Sequence, residues 1–251
     1  MPLLIILLVG LLIRIGRFDF PASYTFAWGD GTRDFLVASH ILKYHELTLV
    51  GPFNLLNDAG IHNSPIYFYI LSLFLIPFNN ILTLSFVNIL FQLGVIVLIY
   101  KITKKMFDYP TAIIAILLFS FNPEVIKQAD FIWQPYLAAP FALLGLYFNA
   151  SRPYISLSLI LFATSLHHSI FPWVPLFFLK VNPFKKRNIK FYIGASLVTS
   201  ISLIIFYSPL ILFYLKNGLP NILVSSSIYI NSVSGYFSNV LFQYTGFFSL
   251  L

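Results

Sequence analysis

The chain has 251 residues, of which 59% are hydrophobic and only 9% charged, and it contains no cysteine. This balance excludes a water-soluble globule, a disulfide framework and thiolate metal sites. The net charge of +7 does not indicate nucleic acid, because the bases collect where cytoplasmic loops are expected.

Apolar runs separated by short polar stretches predict an all-α, polytopic transmembrane bundle of about seven spans. The first is 2–19. Its opening stretch, Met1–Ile13, lacks the basic start and nearby small-residue cleavage site of a signal peptide, so it reads as a retained span. A long loop from 20 to 81 follows and is expected to be external. It carries Trp28-Gly29-Asp30-Gly31-Thr32-Arg33-Asp34. Carboxylates are scarce in such a chain, and those retained usually line a polar cavity or an interface. Asp30 and Thr32 are candidate N-caps of a surface helix running to about Leu47, and acids in its first turn suit the helix dipole. Phe35, Leu36, Ala38, Ile41 and Leu42 form the apolar face predicted to lie on the membrane. His40 and His45 fall on this helix as interfacial residues, and His62 precedes the next apolar segment.

That segment, Ser64–Phe78, is short and bounded by Pro65 and Pro77, which suits a juxtamembrane helix better than a span. Charge parity favours the same reading. If the segment does not cross, the loops with Lys101, Lys104, Lys105, Arg152, Lys180, Lys185, Lys186, Arg187 and Lys190 share one side with a single acid, Asp108. The other side then holds six bases, Arg14, Arg17, Arg33, Lys43, Lys127 and Lys216, against seven acids. The positive-inside rule places the N-terminus in the cytoplasm and the first loop outside.

The remaining spans are expected at 82–103, 110–123, 134–150, 153–168, 169–182 and 191–215, with 216–251 an external tail; 153–168 and 169–182 fall short of the ~20 residues of a perpendicular span and also read as a pair of short helices meeting at His167-His168. The stretch between the spans at 110 and 134 holds Glu124, Lys127, Asp130, Trp133 and Gln134. Glu124 and Asp130 are weak candidates to flank a metal or phosphate, and Glu124 equally suits a turn cap after Pro123. His167 and His168 end an apolar run. Neighbours on a helix point about 100° apart, so the two do not readily share one metal; either could bind phosphate or sugar, or be a hydrogen-bonded structural residue. The tryptophans Trp28, Trp133 and Trp173 fit an interfacial belt and receive no separate role. No nucleotide loop, nucleophile elbow or zinc-protease motif occurs.

The order of these features resembles the GT-C membrane glycosyltransferases, in the branch of the protein O-mannosyltransferases and lipid A aminoarabinose transferases. An acidic motif follows the first span: Asp30-Gly31-Thr32-Arg33 where those enzymes often read Asp-Glu-x-Arg, and Asp30 to Asp34 is similar to the Asp-Gln-Ala-Arg-Asp of an uncharacterised prokaryotic subgroup. Val50-Gly51-Pro52, His62-Asn63-Ser64-Pro65-Ile66-Tyr67-Phe68-Tyr69, Trp133-Gln134-Pro135-Tyr136 and Ser165 to Pro172 resemble further motifs of that subgroup. The chain departs from the pattern at Gly31, at Ser64 and at Gln134. The resemblance implies that it corresponds to the shared core of longer family members, as one membrane-embedded module over 1–251.

The resemblance implies a donor sugar on a polyprenyl phosphate and a hydroxyl acceptor on a glycan, lipid or protein, met at the external face of the cell membrane. Asp30 is then the general base. Asp34 orients Arg33 or takes a sugar hydroxyl. Arg33 is the leading candidate for the leaving phosphate, with Lys127, His167 and His168 behind it, and His62 and Gln134 are further substrate-binding candidates. A divalent metal is allowed but not required. The alternatives are a transporter or flippase without covalent chemistry, and a truncated, inactive transferase core.

Overall fold

A computed structural model describes residues 2–16, 30–52, 62–130, 132–178 and 189–218. The expectations for Arg17, Asp19, Trp28 and Asp58, for the basic loop from Lys180 to Arg187, and for nearly all of the tail lie outside these residues. Every element of regular structure described is helical.

The helices are α1 (Pro2–Ile15), α2 (Asp30–Tyr44), α3 (Ile66–Phe74), α4 (Ile81–Met106), α5 (Tyr109–Ser120), α6 (Pro123–Lys127), α7 (Gln134–Phe148), α8 (Pro153–Leu166), α9 (Trp173–Phe178) and α10 (Ile189–Asn217). Short 3-10 turns, Gln128–Asp130 and His168–Ile170, follow α6 and α8. Local chemistry sets the starts of α4 to α8. The Asn80, Asp108 and Asn122 side chains accept from the first-turn N–H groups of Leu82, Thr111 and Glu124 at 3.0, 2.8 and 2.8 Å. Proline occupies the opening turn of α5, α6, α7 and α8, where its missing N–H costs nothing. α2 ends as His45 enters the left-handed region at φ 59° and donates its N–H to Ile41 O at 2.9 Å.

Two helices, α4 and α10, are long and apolar enough to cross a membrane. Four other expected spans are shorter: α1 and α8 have 14 residues each, α7 has 15 and α5 has 12; of α9 the described residues hold six. At 1.5 Å per residue, 15 residues reach only about 23 Å against a hydrocarbon layer of about 30 Å. α3 has nine residues and is likewise too short to span.

The main core gathers Ala38 and Ile41 of α2, Tyr67 and Leu71 of α3, Leu84 of α4, Leu137 and Ala138 of α7, Leu157 and Ile160 of α8, and Ala195 of α10. A smaller cluster joins Ile6 of α1, Ile96 of α4 and Ile116 of α5. α4 therefore ties the two together. α7 and α8 approach closely because Gly145 has no side chain: a Cβ there would lie 2.8 Å from Ile160 Cγ1 and 3.1 Å from Ser156 O. Gly51 is required in the same way beside the backbone of Asn63 and Ser64, to which its N–H is tied by a 2.9 Å bond to Asn63 O.

Two expectations are corrected here. α2 buries Gly31, Asp34, Ala38 and Ile41, while Leu36 is exposed, so the stripe turned inward differs from the one read from the apolar residues alone. α3 supplies the stripe's partner and buries Tyr67, Phe68 and Leu71, making it a core element. Arg14, counted with the external charges, is fully buried between α1, α4 and α5. Its Nε donates to Gln92 Oε1 at 2.7 Å and its guanidinium also reaches Gly10 O at 3.0 Å and Ser120 O at 3.3 Å.

Candidate functional site

The first turn of α2 meets the N-terminus of α7 and the end of α8. Asp30, Arg33 and Asp34 share one face because residues three and four apart on a helix are neighbours. The Arg33 guanidinium bridges the two carboxylates, 2.9 Å from Asp30 Oδ1 on one side and 2.7 Å from Asp34 Oδ1 on the other, with Nε also donating to Asp34 at 2.9 Å. Trp133 Nε1–H donates to Asp30 Oδ2 at 3.1 Å, and Gln134 Nε2–H donates to Asp34 Oδ2 at 3.4 Å. Both carboxylates are thus held from two sides by groups 100 or more residues apart in sequence.

The two acids differ in access. The Asp30 side chain is 44% exposed, whereas that of Asp34 is fully buried. Burial pushes the Asp34 carboxyl up to about 6, against the opposing pull of the Arg33 charge and its hydrogen bond; the Asp30 charge adds to the rise. Tyr67, fully buried on α3, turns its hydroxyl toward Asp34 and opposes the rise, although it closes no hydrogen bond of good geometry. Burial beside that carboxylate holds the Tyr67 hydroxyl well above its ordinary range.

Aromatic rings border the exposed carboxylate. The Trp133 ring lies 5.5 Å from that of Tyr136 and 6.3 Å from that of His167, and the His167 and His168 rings are 4.3 Å apart. Burial, with the His168 charge, pulls His167 down to about 4. Burial also lowers His168. Among the described residues, the cation in contact with the acids is Arg33.

No family model, curated protein or solved structure matches this chain.

The other sequence candidates lie apart from this cluster or at its edge. Lys127 pairs with Glu124 at 2.8 Å within α6, both well exposed, as a solvated i,i+3 pair of little energetic weight. The backbone N–H of His62 donates to the Tyr214 hydroxyl at 3.0 Å, and its ring packs edge-on against Phe213, at the end of α10. His40 bonds Glu46 at 2.9 Å on the exposed side of α2. Asp130 closes the turn after α6, and its side chain lies outside the described residues. Among the described residues no three His, Asp or Glu side chains gather as a metal site.

Trp133, Tyr67 and Asn88 belong to the site or its support and were not expected there. Asn88 on α4 donates to Gln128 O at 2.8 Å and Ala129 O at 3.2 Å, pinning the turn that leads into Trp133. The sequence signals for Trp133 are its place beside Gln134 between two apolar runs and the Trp133-Gln134-Pro135-Tyr136 stretch quoted above, neither of which points to Asp30. Asn88 showed only as an amide inside a hydrophobic helix.

Proposed function

We propose that the chain is a multi-pass membrane glycosyltransferase that moves a sugar from a polyprenyl phosphate to a hydroxyl acceptor, with the site on the external face. The observation that carries this reading is Asp30: a carboxylate open on one side and oriented on the other by Arg33 and the Trp133 N–H. A base must reach the proton it takes, and of the two acids only Asp30 is accessible. In the step we infer, Asp30 takes the acceptor O–H proton as that oxygen bonds to C1 of the sugar. The C1–O bond to phosphate breaks, and the lipid phosphate leaves with the electron pair. Arg33 is 31% exposed and keeps N–H donors beyond those given to the two acids, which suits it to meet the phosphate oxygens. Asp34 and Gln134 act behind it as positioning residues. The motif order and the two helices of membrane-crossing length support a membrane lipid as donor.

One observation favours a second reading. A buried carboxylate that titrates near 6 is also what a proton-coupled transporter needs, and Asp34 is such a group. The two readings separate on covalent chemistry. Purified protein, a radiolabelled polyprenyl-phosphate sugar and a panel of acceptors should yield a new glycosidic product and free polyprenyl phosphate, and Asp30→Asn should abolish it with expression intact. Proton flux in proteoliposomes without any covalent product would favour transport. Near-normal transfer by Asp30→Asn would remove Asp30 from the role of base.

A further inference from the structure

His167 follows α8 and opens the 3-10 turn His168–Ile170. The Ser169 backbone N–H points at its Nδ1 from 3.2 Å, and the Ser169 hydroxyl lies 2.7 Å from the same nitrogen. A backbone amide can only donate, so Nδ1 is the accepting nitrogen and the ring proton of the neutral imidazole sits on Nε2. Nε2 is neither closed off as a buried atom nor engaged by another described residue. The ring stands beside Trp133, whose N–H holds Asp30. The site thus has two unlike sides. Arg33 and the two acids make one side charged. Trp133, Tyr136 and His167, with His168 beside it, make the other flat and aromatic, with the His167 Nε2–H fixed in place by Ser169.

We infer that His167 is a tautomer-locked, neutral hydrogen-bond donor to a sugar hydroxyl, and that the Trp133–His167 side receives the sugar of the donor while Arg33 receives its phosphate. The sugar assignment rests on the transferase reading; the tautomer does not. A sugar ring has apolar C–H faces suited to an indole or phenol ring and hydroxyls suited to a fixed N–H. A neutral imidazole gains less from a phosphate than a guanidinium does, because charge-assisted bonds are roughly twice as strong.

Two measurements test this. In protein labelled with ¹⁵N-histidine, with the His167 signal identified by its loss in His167→Gln, Nδ1 should be the unprotonated nitrogen at pH 7.5, and the ring should stay neutral at pH 5.5. A proton on Nδ1, or an imidazolium at pH 5.5, overturns the locked donor. For the sugar assignment the probes are undecaprenyl phosphate alone and the same lipid carrying glucose or mannose. His167→Ala should weaken binding of the better sugar-linked lipid about tenfold and leave the bare phosphate lipid unchanged. His167→Gln, which keeps a side-chain N–H at similar reach, should restore most of that affinity. Equal losses for both lipids overturn the assignment. A wild-type protein that binds neither lipid overturns both the assignment and the donor reading, and the ¹⁵N result stands apart from either.

Discussion

Replacing Asp34 by asparagine sets stability against activity at one buried atom pair. An ordinary aspartate titrates near 3.8, and burial raises Asp34 to about 6. That displacement of about two pH decades means the ionised form costs the fold roughly 3 kcal/mol, net of the Arg33 pairing, because each decade is worth about 1.4 kcal/mol. A raised carboxyl favours the protonated fold, so its penalty is absent below pH 4, grows between about 4 and 6, and is complete above 6. In detergent the native protein should therefore lose stability as pH rises from 4 to 7. Asp34→Asn should flatten that slope and unfold about 6–12 °C higher at pH 7.5, by the 2–4 °C per kcal/mol usual for chains of this size. The amide should still accept from Arg33 but without the charge that fixes it, so sugar transfer should fall about tenfold in the stabilised variant. Thermal unfolding followed from pH 4 to 7.5, beside transfer assays, reads both effects. A variant less stable than the native protein at pH 7.5, or a native protein whose stability is flat across this window, would refute the argument.

Other outcomes follow from the same geometry. With both acids ionised, Asp30, Arg33 and Asp34 sum to one negative charge; neutralising Asp34 removes it. The lipid phosphate itself takes up a proton near pH 6, so the readout is a difference: as pH falls from 7.5 to 5.5 the native affinity for undecaprenyl phosphate should gain on that of Asp34→Asn, and a lipid-binding titration in which the two keep the same pH slope would contradict this. Trp133→Phe keeps the ring and removes the N–H to Asp30, and should cut turnover about ten- to a hundredfold with the fold intact, measured beside a far-UV spectrum. Gly145→Val should destabilise the α7–α8 pair by about 1–3 kcal/mol, with Ile160→Ala recovering part of the loss in a double-mutant unfolding series. Lys104→Cys, in a chain without native cysteine, should resist an impermeant thiol reagent in intact cells and react after permeabilisation; labelling from outside would invert the proposed topology.

Helix positions were legible in the sequence because hydropathy, opening prolines and capping side chains are local. Tyr109–Ser120 begins one residue before the stretch read as 110–123, and Pro153 opens α8 where the span at 153 was placed. Helix lengths were overread where apolar character outlasts helical geometry: the stretch from 169 reads as apolar throughout, yet its opening residues belong to the 3-10 turn His168–Ile170, and regular helix begins only at Trp173, after Pro172. The acidic motif stood out because charge is rare here. Its inner wiring was hidden, since Trp133 and Gln134 reach Asp30 and Asp34 across 103 and 100 residues. Which acid is covered depends on how α2 packs on α3, and a pattern of apolar residues cannot report a stripe that has Asp34 in it.

Arg14 also bears on the order in which the protein assembles. Its partners on α4 and α5, Gln92 and Ser120, lie 78 and 106 residues later in the chain. At a synthesis rate of about 5–20 residues per second, α1 waits roughly 5–20 s before the second of them is made. For a chain inserted as proposed, an unpaired guanidinium near the end of α1 disfavours the lipid interior by roughly 2.5–3.5 kcal/mol through that interval. On that proposal the first helix would emerge early but settle late, resting near the interface or against the insertion machinery until α4 and α5 arrive to close around its charge.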